Sequence, residues 1–516
     1  MAVILEKKDR RLIPNWRSFA TTTILGEIDT VSINPIVQPN LSITNYIEDF
    51  HENATIPFAA DLISASMVNG FNKNEEVKKA ANFILDSKGI VTQTQLSLAE
   101  RIISGVKDNT ENKIGNKTIK EFNNSLPEND YKLKIQHLKK HVIEFPYNSI
   151  AWVELSRYYS ILGQEKQSER AMKIAIQLAP DNRFVLRCAV RLFSHYDKID
   201  IAHDILRKNK ITSYDPWLTS AEIAIATLQG RNSRFIKRGI ELVESENLSP
   251  FSITELASSI ATVELFAGDR KKSKKMFAKS LIAPNDNSLA QMEWVLNKDK
   301  TLFDRTQINI NIQWNFEAQA LYNFYNKQLI DALNNTYQWF CDMPFSKRPV
   351  MLGSLIANVL GSNSLSIKFL ERGLISHPND AQMLNNIAYY LALENKTTEA
   401  NKYFDKVDFR VGINKLTVMC LKATYGLICF RENRYEEGRI YYLDSIKDAE
   451  LEKDKHHACI AILNYAREEI KAKSDYIESA MQLVSKISQN EDENITIQNL
   501  YSEVMDLYDK YKQNAL

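Results

Sequence analysis

Glycine and proline are scarce in this chain of 516 residues, with 15 and 13 copies, where average usage of about 7% and 5% would give roughly 36 and 26. Sheet-rich folds need turn residues at short intervals, so an all-β architecture is excluded and long helices are expected. Cysteine is nearly absent. Cys188, Cys341, Cys420, Cys429 and Cys459 lie far apart with no CxxC pair, which excludes zinc and thioredoxin-like signatures and leaves buried small hydrophobes in a reducing compartment. Charge of one sign is missing too. The 65 basic and 64 acidic residues leave a net +1, whereas a dedicated nucleic-acid binder carries a strongly basic domain. No run approaches 18 uncharged apolar residues, so no membrane-spanning helix is expected. The opening MAVILEKKDRRLIPNW has only four apolar residues before its charges, unlike a signal peptide. These features predict a cytoplasmic protein, and the wealth of Lys, Ile and Asn gives it a bacterial look.

Signatures of chemistry are missing as well. There is no GxxxxGK[ST] or GxGxxG loop, no GxSxG elbow and no kinase set. His137 and His141 are four apart in HLKKH, but the Glu of HExxH is absent, so a solvated basic helix face is the simpler reading. His456 and His457 are adjacent and point to different faces of a helix. No pairing of acids singles out a general acid and base. No enzyme activity, cofactor or metal is expected.

What the chain does have is a period. Pro146 and Pro180 are 34 residues apart, as are Pro344 and Pro378. Each closes an amphipathic stretch (EFPYN, LAPDN, DMPFS, SHPND), where proline stops a helix because it lacks the N–H. Between the first two prolines stand Trp152-x-x-Leu155-Ser156-x-x-Tyr159, a turn at Gly163, and Ala175 in a second helix. Residues 313–346, 347–380 and 381–414 form three contiguous units of 34, with small residues Ala320, Ser354 and Ala388 in phase. Their inter-helix turns are expected at Lys327, Gly361 and Asn395. Small residues at this phase let two antiparallel helices approach closely. Residues 183–216 and 217–250 are looser copies, and 254–287 is clearer.

This pattern resembles the tetratricopeptide (TPR) signature W-x₂-L-G-x₂-Y, with Ser156 in place of the Gly. The resemblance implies an all-α fold, an α-solenoid of helical hairpins whose first helices line a concave groove that holds other macromolecules. The expected layout is an extended arm plus helical segment over 1–112, a first TPR-like block over 113–297, a connector over 298–312, a second block over 313–488 and a capping helix over 489–516. Within the connector, RTQININIQ alternates like a strand.

Candidate binding residues follow from the register. Arg157, Arg187 and Arg191 are expected on one concave face of the first block, where guanidinium groups favour carboxylates of an acidic partner segment. The chaperone-binding TPRs grip a terminal carboxylate with a Lys/Asn/Arg clamp; here Arg157 stands where Asn would be expected, which puts such a partner in doubt. In the second block Asn385 and Tyr389 line the groove, with Asn386 beside them, and Asn can hold a peptide backbone through donor and acceptor. Trp16, among arginines in RRLIPNWRSF, is a candidate anchor of the arm, onto a partner or back onto this chain. The expected function is a non-catalytic protein-protein scaffold, one member of a bacterial toxin–antidote or phage-defence system. The alternative is a DNA-binding regulator, because IVTQTQLSLAERI (90–102) resembles the start of a repressor-type helix-turn-helix. Against that stands an ordinary helix capped by Thr92 or Thr94.

Overall fold

Helices stop and start in this chain through the same local chemistry repeated at a 34-residue phase. Asn148 and Asn182 each follow a proline by two residues. Their side chains accept from the backbone N–H of Ala151 and Val185, and Asp380 does the same for Met383. Each such cap is worth about 1 kcal/mol. At the other end of the first helix of a hairpin the chain turns through a left-handed residue. Gly163 (φ 66°) and Asp197 (φ 56°) are 34 apart, and Lys327 (φ 60°), Gly361 (φ 79°) and Asn395 (φ 60°) repeat that spacing.

The computed structural model describes residues 11–19, 43–69, 74–87, 91–103, 131–245, 247–305, 308, 312, 314–409, 413–487 and 495–515. Among the described residues the fold is all-α, an α-solenoid of TPR-like hairpins with an N-terminal region that is partly extended and partly helical. Four helices come first: α1 (Thr44–Glu52), α2 (Ile56–Asn69), α3 (Glu75–Asp86) and α4 (Gln93–Ile103). They share a small core around Phe50, Leu62, Ile63 and Ile84. Thr92 and Gln95 cap α4 reciprocally. A recognition helix after α4 would fall in 104–130, outside the described residues.

The array then runs through α5 (Tyr131–Glu144), α6 (Ser149–Ile161), α7 (Glu165–Leu178), α8 (Arg183–His195), α9 (Ile199–Lys208), α10 (Pro216–Leu228), α11 (Ile236–Glu244), α12 (Thr254–Phe266), α13 (Arg270–Ser280) and α14 (Asp286–Lys298). Between Lys298 and Phe316 the described residues hold no α-helix. Leu302 and Ile308 are buried there against the core of α11–α14. Most of the strand-like RTQININIQ lies outside the described residues. Hairpins resume with α15 (Phe316–Tyr325), α16 (Leu329–Asp342), α17 (Lys347–Val359), α18 (Asn363–Ser376), α19 (Ala381–Leu393), α20 (Thr397–Phe404), α21 (Lys415–Arg431), α22 (Tyr435–Leu451), α23 (Lys455–Ala472) and α24 (Ile477–Val484). The last helix is α25 (Ile495–Ala515).

Small residues sit at the helix crossings. Ser156 and Ser168 exchange hydroxyl-to-carbonyl hydrogen bonds of 2.8 Å across the α6–α7 crossing. Ser366 donates to the carbonyl of Ser354 at 2.8 Å, and Ala320 and Ala388 are fully buried. Four of the five cysteines are buried as expected, but Cys341 is exposed. It lies near the end of α16.

One contact sets the shape. The hydroxyl of Ser376 donates to the carbonyl of Ile161 at 2.8 Å, across 215 residues of sequence. The α6–α7 hairpin therefore touches the α17–α18 hairpin, and the array has come round on itself. His195 and His377 meet along this seam with ring centroids 4.5 Å apart.

Candidate partner-binding groove

The coiled array encloses a groove lined by first helices, and residues 11–19 run through it. Pro14 allows only extended backbone before it, and the side chains that follow alternate between anchors. Trp16 is 0% exposed and packs on Phe345 at 5.4 Å. Arg17 bridges two helix ends. Its Nε donates to Asp342 at 2.8 Å and its Nη2 to Asp286 at 2.6 Å. Asn15 also donates to Asp286 at 2.6 Å, and Asn287 Nδ2 donates to the carbonyl of Ile13 at 3.1 Å. Glu154 accepts from the Ser18 hydroxyl at 2.9 Å and from the Phe19 amide at 2.7 Å. Arg11 stacks over Phe266 at 4.7 Å. The segment thus spans α12, α14, the end of α16, α6 and α8.

Of the three arginines chosen from the sequence, Arg157 touches this segment, and Arg187 and Arg191 pair with residues of the array. Arg157 Nε donates to the carbonyl of Trp16 and its Nη2 to that of Asp342, both at 3.4 Å. Arg191 lies over Phe345 at 5.4 Å and donates to Ser346 at 3.1 Å. Arg187 is gripped by Glu255 through two bonds of 2.9 and 3.2 Å. Arg187 is thus ion-paired inside the array, while Arg157 and Arg191 donate to carbonyl and hydroxyl oxygens. Glu255 neutralises Arg187, and Glu154 holds the arm. Glu169 pairs with Lys173 and Lys198.

Burial governs the electrostatics. The Asp342 carboxyl is pushed above its usual range by burial, which outweighs the opposing pull of Arg17, while Asp286 pushes it further up. His195 is driven well below the usual imidazole range by burial, then by His377 and Arg191. His377 is lowered by burial as well, and its Nε2 donates to the carbonyl of Phe345 at 3.0 Å.

Asn385 and Tyr389 sit in the second block, away from the arm. Asn385 is fully buried and donates to Asn386 at 3.1 Å. The Tyr389 hydroxyl donates to Asn464 at 3.1 Å. Both residues lie beneath neighbouring helices, and α25 packs along α23 and reaches α17 on the same side.

No family model matches the chain, and no curated protein matches it. Among solved structures, a human IFIT1 dimer with PPP-AAAA is similar at 13% identity and a TM-score of 0.37, covering 76% of this chain and 96% of that one. A human IFIT1 dimer with m7Gppp-AAAA gives 11% identity and a TM-score of 0.27, over 95% and 96%. At these scores the likeness decides nothing about a ligand. No described helix is long and apolar enough to cross a membrane, and the described residues hold no group of three or more His, Cys, Asp or Glu placed to bind a metal.

Asp286, Asp342 and Asn287 were not singled out from the sequence. One signal was available. Asp342 ends α16, where the helix dipole favours a cation, so an acid there calls for a cationic neighbour. Nothing in the sequence names Arg17 as that neighbour.

Proposed function

We propose that the chain is a non-catalytic, TPR-family interaction scaffold of the cytoplasm that holds an extended, arginine- and tryptophan-bearing protein segment in the groove of its first block. The observation that carries this is the seating of Trp16 and Arg17, fully buried and doubly ion-paired, among side chains of separate helices. Residues 11–19 are the groove's own occupant, and a partner competes with them by presenting similar chemistry. Charge favours a cationic segment. Glu154, Glu255, Asp286 and Asp342 face Arg157, Arg187 and Arg191, which leaves one negative charge in excess before Arg17 enters. On this count a basic partner segment suits the groove better than the acidic one expected from the arginines alone. A bacterial multi-protein system, such as a toxin–antidote or phage-defence pair, is the setting that suits such a scaffold.

The test uses a chain lacking residues 2–20 and a labelled peptide of residues 9–21. Saturable binding is expected, at least tenfold weaker for the Arg17→Glu peptide and falling as salt rises. The intact chain should bind the peptide poorly because its groove is filled. Absence of binding to the truncated chain, or indifference to Arg17→Glu, refutes the proposal. Random duplex DNA at low salt should not be retarded by the intact chain; a shift would favour the regulator alternative.

A further inference from the structure

A second hollow lies where α25 crosses the other groove. Between α17, α19, α23 and α25 there remains a cavity of about 160 Å³. Leu355, Ile460 and Leu500 supply apolar lining, and Tyr389, Arg467 and Glu503 supply polar lining. For scale, a dry cavity of roughly 150 Å³ admits benzene.

Arg467 is the unusual member. It is 3% exposed. Its Nε donates to Glu468 at 2.8 Å and its Nη1 lies 3.6 Å from Glu503. Its Nη2 is buried, and the Tyr389 hydroxyl beside the guanidinium takes a hydrogen bond from this side chain. Neither acid belongs to Arg467 alone. Glu468 is shared with Arg431 at 3.0 Å and Glu503 with Lys471 at 3.2 Å. Three cations therefore face two carboxylates, and one positive charge is left over. Burial lowers the pKa of the Lys471 ammonium, and Arg467 lowers it further. A surplus buried cation is costly, and an anion in the cavity offsets it.

We propose that this cavity is a binding site for a small organic monocarboxylate, whose carboxylate pairs with the Arg467 guanidinium and whose apolar body, about the size of a benzene ring, lies against Leu355, Ile460 and Leu500. The single surplus charge suits a monoanion. A dianion such as phosphate would overfill it beside Glu503 and leave the apolar lining uncovered. The site is independent of the arm and its groove.

Calorimetric titration of the full chain tests this, with benzoate and 4-methylpentanoate as probes. Both should bind saturably, one per chain, with a dissociation constant in the millimolar range or tighter, as expected for ligands of roughly ten heavy atoms. Benzyl alcohol, which has the body without the charge, and inorganic phosphate, which has charge without the body, should bind at least tenfold more weakly. Arg467→Gln should abolish binding. Because that change disturbs a buried ion cluster, Leu500→Trp serves as the second variant; it fills the cavity from α25 and leaves the charges in place. It should weaken benzoate at least tenfold while the helical signal is unchanged. No saturable binding of either carboxylate to the wild type overturns the proposal. So does unchanged affinity in folded Leu500→Trp, or phosphate or benzyl alcohol binding as well as benzoate.

Discussion

Arg17→Met separates a docked arm from a merely adjacent one. Methionine keeps an unbranched apolar stem of similar length, so the packing around Trp16 survives while the charge is lost. What remains is Asp286 facing Asp342, with side chains 9% and 4% exposed. Removing one partner of a buried ion pair typically costs about 3–5 kcal/mol, because a charge is left without compensation. The array itself loses no helix contact, so the cost falls on the closed state of the arm. At about 1.4 kcal/mol per decade, local opening should become roughly two to three and a half decades more frequent. The Phe19 amide, bonded to Glu154, is the reporter in native-state hydrogen exchange. The variant also carries a pH signature. Asp342 already sits above its usual range in the closed state, and loss of Arg17 raises it further. The closed state then binds more protons than the open one, so it regains stability as pH falls from 7 towards 5. Exchange at Phe19 within threefold of wild type at both pH values would refute the bridge as the arm's anchor.

Two further outcomes test the seam. His195 and His377 are both held below the usual imidazole range, so the unfolded chain takes up protons near pH 6.5 that the native state refuses; stability should fall as pH drops through 6.5, by up to about 1.4 kcal/mol per pH unit for each group, and His195→Phe should flatten that slope in urea titrations, an unchanged slope counting against the assignment. Gly163 and Gly268 both have left-handed backbones, but a Cβ on Gly163 would lie 2.5 Å from the carbonyl oxygen of Ile375 while one on Gly268 meets nothing within 4 Å. Alanine costs roughly 1 kcal/mol at either site for its backbone, and Gly163→Ala should lose a further 1–3 kcal/mol to overpacking, seen as the larger drop in calorimetric melting temperature; equal drops would mean that the two hairpins do not press together.

The hairpins were legible because each is specified by residues close in sequence. The caps at Asn148 and Asn182 and the turns at Lys327, Gly361 and Asn395 depend on neighbours within one helix. The concave register that placed Arg157, Arg187 and Arg191 depends on the same local phase. Their partners were not legible. Glu255 reaches Arg187 across 68 residues, and Asp342 reaches Arg17 across 325. Such pairings depend on how far each hairpin rotates against the next, summed around a whole turn of the solenoid, and no local pattern encodes that sum. The last helix, expected as a cap on the open end, packs along α23 and reaches α17.

The 325 residues between Arg17 and Asp342 also impose an order on synthesis. Chains emerge from the ribosome at roughly 5–20 residues per second, so the arm waits on the order of 15–65 seconds before its second carboxylate exists. During that interval Leu12, Trp16 and Phe19 have no finished groove, while the early hairpins stack one by one as neighbour contacts allow. The bond from Ser376 to Ile161 comes later still. Closure of the ring is thus a late, non-local event of the kind that slows folding, and until it happens the newborn arm is available to whatever binds tryptophan and arginine first.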